Sequence, residues 1–266
     1  MSAAVTVISN GMYFDGTGKK GSIQNVLIKN GKVEKVSSNP IQVEGATEID
    51  ATGKWVMPGM IDIHTHYDAE IEVMPGIEES LRHGVTTCIM GNCSLSAAIG
   101  KDTDIVDLFC RVENIPAQSL KDWLVNNISW KSVTEYYQHL DTLNLGPNIA
   151  TFLGHSNVRI EAMGLKRSLT ERKASKEEIN KMKAIVSEAV DAGFLGLSID
   201  MLPFHRMSGV FSSEFTGFTV PSQVAAVSEY KQLSEILRER DKVLQITPNA
   251  IKKTTILDIF ALSSGW

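Results

Sequence analysis

The chain has 266 residues, 43% of them hydrophobic and 21% charged, which fits one or two globular domains with a sizeable core. Its 26 basic residues against 31 acidic ones form no basic stripe for nucleic acid, and no apolar run approaches the roughly 20 residues of a membrane span. Three cysteines without regular spacing argue against a disulfide framework, and the N-terminus lacks a charged-then-apolar signal pattern, so the expected compartment is the cytoplasm.

Residues 4–54 read as short strands and turns. VTVIS is β-branched, and Asn30-Gly31 between the alternating segments of VLIKNGKVEKV is a hairpin signal. Pro58-Gly59 ends this region. From Met60 to His66 the pattern alternates, with Asp62, His64 and His66 on one side and Ile61 and Ile63 on the other. Residues two apart share a face of a strand, so His64 and His66 can reach one metal ion. IEESLRHG has the charge order of a short helix: Glu78 and Glu79 early, Arg82 and His83 late, then Gly84. VTTCIM is a β-branched strand, and Cys93 falls just past its end, as the histidines fall at the end of theirs. The plain alternatives are a solvated strand face for the histidines and a small buried side chain for Cys93. Cys88 is read as core, Cys110 has no partner pattern, and His83 is a cation at a helix C-terminus.

Leu95 to Leu145 is a long excursion rich in aromatics. Within it WKSVTEYYQHLDTL places Val133, Tyr136, Tyr137 and Leu140 on one helical face, with His139 at the surface. NIATFLGHSNVR reads as a third strand leading to Gly154-His155, and Arg159 suits either a substrate carboxylate or a loop salt bridge. Ser175 and Glu178 form a capping box for a helix ending near Gly193. FLGLSI is a fourth strand, with Asp200 and His205 past its end. A helix from Pro221 through Arg240, the strand VLQIT and a last helix complete the series. Strands alternating with helices imply an α/β fold with a parallel sheet, about five βα units after a β segment.

PGMIDIHTHYD followed by GVTTCIMGNCS resembles the amidohydrolase superfamily, whose first barrel strand ends in His-x-His. The cysteine in its GVTT…GNC setting is similar to that of the N-acyl-D-amino-acid deacylase (D-aminoacylase) branch, where it binds metal. The resemblance implies zinc held by His64, His66 and Cys93, and a (β/α)8 barrel, here partial. It makes residues 1–54 one portion of a small β-sandwich and 55–266 the truncated barrel. It places His155 as a substrate or oxyanion contact, with Arg159 beside it as a second substrate-binding candidate. The family takes further metal histidines from the fifth and sixth strands and a catalytic aspartate from the eighth. About three βα units of such a barrel would lie beyond Trp266, and Gln245 to Thr247, where the fifth-strand histidine is expected, holds none. The implied reaction is hydrolysis of an amide C–N bond in a small molecule, most simply an N-acyl-D-amino acid. A hydantoinase- or dihydroorotase-like cyclic amidase is the enzymatic alternative, against which Cys93 in place of a bridging lysine speaks. A non-catalytic barrel fragment is the other, and its open sheet edges would invite a homo-oligomer.

Overall fold

The computed structural model describes residues 5–125, 127–252 and 254–264. The chain divides into two compact units between Met60 and Ile61.

The first unit is a five-stranded sheet. β1 (Val5–Tyr13) pairs antiparallel with β2 (Ser22–Lys29), and β2 pairs antiparallel with β3 (Lys32–Ser37). Asn30 and Gly31 close the β2–β3 hairpin with φ of 52° and 72°. Both central residues of this turn type need positive φ, which is why Asn-Gly marks it in the sequence. β4 (Thr47–Asp50) and β5 (Trp55–Val56) lie parallel to the first and second halves of β1.

The second unit is mixed α/β. Its strands form two three-stranded sheets. In one, β6 (Met60–Asp62), β7 (Val85–Met90) and β8 (Asn148–Thr151) are neighbours in that order; in the other, β9 (Leu153–Gly154), β10 (Gly196–Asp200) and β11 (Val243–Thr247) are. β7–β8, β9–β10 and β10–β11 are parallel. Only Phe152 separates β8 from β9, so the third strand of the sequence reading is real but broken in two. Between strands run α1 (Glu78–Arg82), α2 (Asp102–Val112), α3 (Ala117–Leu124), α4 (Val133–Leu140), α5 (His155–Met163), α6 (Leu165–Thr170), α7 (Lys176–Ala192), α8 (Pro221–Val224) and α9 (Val227–Glu239), with α10 (Thr255–Ser264) last. The core joins Cys88, Met90, Leu153, Leu197 and Ile199 from the strands to Met182, Val186 and Ala189 of α7 and Leu233 and Leu237 of α9. Fully burying each such aliphatic side chain is worth about 1.5–3 kcal/mol. α7 starts at the Ser175–Glu178 capping box and stops at Gly193, where φ is 121°. Among the described residues no helix is long and apolar enough to cross a membrane.

Three expectations need correction. The strand expected over Met60–His66 ends at Asp62, because the Asp62 carboxylate accepts the His64 N–H at 3.2 Å in place of a ladder partner. The single helix expected from Pro221 to Arg240 is interrupted at Ala225 and Ala226, both extended, where the Ala226 N–H goes to the Arg172 carbonyl. His139 is not a plain surface residue: its Nε2 lies 2.8 Å from Glu72 and its ring stacks on Trp130, with centroids 4.7 Å apart.

Candidate metal centre

His64, His66 and Cys93 are brought to one place by a threonine anchor. The Thr65 N–H and hydroxyl both donate to the Ile89 carbonyl of β7, at 3.0 and 2.9 Å, and Asn92 Nδ2 donates to the Thr65 and Ile89 carbonyls. Thr65 is therefore buried against β7, and its two neighbours are carried to the turn after that strand. The potential ligand atoms of His64, His66 and Cys93 all lie within 4.8 Å of one another, and His64 Nε2 is 3.1 Å from Cys93 Sγ. The turn itself is strained. Gly91, Cys93 and Ser94 all have positive φ, 72°, 54° and 66°. For a residue with a Cβ this region costs about 1–3 kcal/mol and persists only where neighbouring structure fixes it.

The environment suits neutral and anionic ligands of a cation. Burial, with smaller contributions from His64 and His205, pushes the His66 ring down to about 4, so it is neutral with a free lone pair at pH 7. Its Nδ1 is buried without a hydrogen-bond partner, and its Nε2 is 3.6 Å from Glu113. Burial drives the Cys93 thiol up to about 11, with Asp200 and Glu113 adding to the rise and the Thr247 hydroxyl opposing it. Asp68 is raised to about 7 by burial, although the Gly91 N–H donates to its Oδ2, and its Oδ1 has no partner. An orphaned buried ring nitrogen, a thiol that only a nearby positive charge would ionise, and surrounding carboxylates fit a divalent metal ion. Two imidazoles and a thiolate are a zinc donor set.

Two residues of the stretch 245–247, where the resemblance implies a metal histidine, complete the surroundings of Cys93. Gln245 Oε1 accepts the Cys93 N–H at 3.1 Å and Thr247 Oγ1 lies 3.2 Å from its sulfur. The period-2 pattern of VLQIT puts both on one face of β11, at the place where the resemblance implies a histidine ligand and the sequence has none. Asp200 is fully buried; its carboxylate bonds His205 Nδ1 at 2.8 Å, Gln223 Nε2 at 3.1 Å and the Leu202 N–H at 2.7 Å. His205 is raised above the ordinary histidine value, chiefly by that bond to Asp200.

His155 and Arg159 lie elsewhere in their chemistry. Both are fully buried, and their polar atoms are spent inside the protein. Glu229 Oε1 lies 2.7 Å from Arg159 Nε and 3.0 Å from His155 Nε2. The Arg159 guanidinium also donates to the carbonyls of Ser168, Pro221, Glu171 and Arg172. The geometry thus gives this pair a place in an internal ionic network rather than on a surface that meets substrate.

The amidohydrolase family model matches residues 47–230. An uncharacterized protein of Mycobacterium tuberculosis is 38% identical over 97% of this chain and 42% of its own length. The N-acyl-D-glutamate deacylase of Alcaligenes xylosoxydans xylosoxydans is 27% identical over 89% of this chain and 44% of its own. A crystal structure of the N-acyl-D-glutamate deacylase from Bordetella bronchiseptica, complexed with zinc and a phosphonate inhibitor, shares the fold with a TM-score of 0.72 at 21% identity, over 98% of this chain and 49% of that one. The chain spans about half or less of the length of each.

Proposed function

Since the chain belongs to the amidohydrolase family, we propose that it carries the metal-binding strand ends of a zinc-dependent hydrolase acting on the amide C–N bond of N-acyl-D-amino acids. The observation that carries the reading is the convergence of His64, His66 and Cys93. A cysteine in that set supports the deacylase branch over cyclic amidases, and the sequence likeness to an N-acyl-D-glutamate deacylase supports it independently. On this reading β6 to β11 supply five consecutive strands of a (β/α)8 barrel, with β8 and β9 together forming one, and the ligands lie past strand C-terminal ends, where such barrels build their sites. The sheet of β1 to β5 precedes it in the chain. The three free cysteines favour a reducing compartment, the cytoplasm.

On this reading the chain's own groups take the following roles. His64 Nε2, His66 and Cys93 Sγ would hold zinc, which when bound lowers the pKa of its water to about 7 and polarises an acyl carbonyl. Burial keeps the His66 ring deprotonated and ready to ligate at neutral pH. Cys93 must lose its proton to bind, and the Thr247 hydroxyl beside its sulfur stabilises the thiolate. Asp200 fixes the His205 ring through Nδ1, leaving Nε2 to bond a small substrate at the mouth.

The test is to load the chain with zinc and assay N-acetyl-D-glutamate, N-acetyl-L-glutamate and dihydroorotate side by side. Release of free D-glutamate ahead of the other two products is expected where the remaining barrel strands are supplied together with the chain. Ring opening of dihydroorotate without deacylation would replace this reading with the cyclic amidase one.

A further inference from the structure

The strained turn that carries Cys93 is tied to the buried His155–Arg159–Glu229 cluster by an unbroken run of hydrogen bonds. Glu229 holds His155 Nε2, and His155 Nδ1 is 3.0 Å from Ser222 Oγ. A carboxylate only accepts, so Nε2 carries the proton, and Nδ1 of the neutral ring accepts the Ser222 hydroxyl. The same Ser222 oxygen accepts the Asp200 N–H at 2.9 Å. The Ser222 N–H donates to Ser156 Oγ at 3.1 Å, and Ser156 Oγ meets Ser94 Oγ at 2.8 Å. The Ser156 N–H adds a bond to the Ser94 carbonyl at 3.0 Å. Ser94, Ser156, Ser222 and His155 are all fully buried. Packing repeats the message: a Cβ on Gly154, just before α5, would lie 2.6 Å from the Ser94 carbonyl oxygen, so the backbone of α5's first turn presses directly on the turn.

The run joins four elements, α9, α5 (through both His155 and Ser156), α8 and the turn after β7, and it ends one residue from the cysteine. Glu229 fixes a tautomer, the tautomer holds the Ser222 side chain, the Ser222 main-chain N–H bonds Ser156, and Ser156 in turn bonds Ser94, whose φ is 66°, next to Cys93 at φ 54°. We propose that the Glu229–His155–Ser222–Ser156–Ser94 run is a positioning device that presents Cys93 Sγ to a divalent metal ion, with Ser156, bonded directly to Ser94, as the positioning residue nearest the turn. The proposal rests on the reading of His64, His66 and Cys93 as a metal centre. It gives the buried histidine–arginine pair a role in metal affinity without any contact to substrate.

The experiment is titration of the metal-free chain with Zn2+, and separately with Co2+ to read the thiolate-to-metal absorption. Wild type is compared with Ser156→Ala, Ser94→Ala and a control, Ser234→Ala, which removes a buried hydroxyl that, among the described residues, bonds the Tyr230 carbonyl of its own helix. Loss of outer-sphere support for a metal ligand costs about 10–100-fold in affinity. Ser156→Ala and Ser94→Ala are expected to weaken Zn2+ at least tenfold and to diminish or shift the Co2+–thiolate band, while Ser234→Ala binds as wild type does. Wild-type affinity and spectrum in either folded variant of the run would overturn the proposal, as would an equal loss in Ser234→Ala. If Ser156→Ala does not fold, Ser94→Ala decides. A wild-type chain that takes up no Zn2+ would remove the metal reading itself, and the positioning proposal with it.

Discussion

The second unit holds two histidine clusters of opposite character. Around His155, a carboxylate, a guanidinium, a serine and four main-chain carbonyls use almost every polar atom; among the described residues of this cluster, Glu229 Oε2 alone lacks a partner. Around His66, a ring nitrogen and the neighbouring Asp68 Oδ1 are buried without partners, His64 is exposed, and the turn with Cys93 is strained. Buried polar groups are normally satisfied, so unsatisfied ones grouped at the end of two strands mark where something else belongs. On the reading proposed above, the saturated cluster sets structure and the unsaturated one is where a metal ion would bind. The likeness of residue type between them is misleading; the accounting of hydrogen bonds separates them.

That contrast can be broken from either side. Its largest expected consequence is at Glu229. Glu229→Ala leaves the Arg159 guanidinium buried without its counter-charge and should destabilise the chain by about 3–5 kcal/mol, read by urea denaturation. A loss below about 1 kcal/mol would mean the network is not structural. Next comes pH. Because the Cys93 thiol stands at about 11, it is protonated in the metal-free chain between pH 7 and 9 and must release one proton on ligation. Zinc affinity should therefore rise about tenfold per pH unit over that range, measured by competition with a chelator of known pH dependence. A flat profile would remove Cys93 from the ligand set. The smallest effect is on the other cluster without metal. His64 is exposed, so His64→Ala should change the stability of the metal-free chain by no more than about 0.5 kcal/mol, whereas zinc should stabilise wild type and not the variant.

Much of this was legible in the sequence because it is local. The Asn30-Gly31 turn, the Ser175–Glu178 cap and the strand of Cys88 each depend on residues a few positions apart. His-x-His spacing and a cysteine after a β-branched run found all three members of the cluster, though for a partly different reason than expected. His64 and His66 come together through the Thr65 anchor and the Asp62 turn rather than as two residues on a regular strand. What the sequence hid is non-local. Glu229 lies seventy residues from Arg159, so no spacing tells whether that arginine meets substrate or a buried acid. Arg172 captures the Ala226 N–H across the fold and splits a helix whose apolar periodicity runs straight through. Gln245 and Thr247 reach Cys93 from 152 and 154 residues away.

The most direct measurement is the zinc content of the purified chain by plasma mass spectrometry, beside a His64→Ala/Cys93→Ala double variant. About one equivalent in wild type, and none in a variant that remains folded, is the expected result. Equal zinc in both, or none in either, would contradict a metal centre at His64, His66 and Cys93.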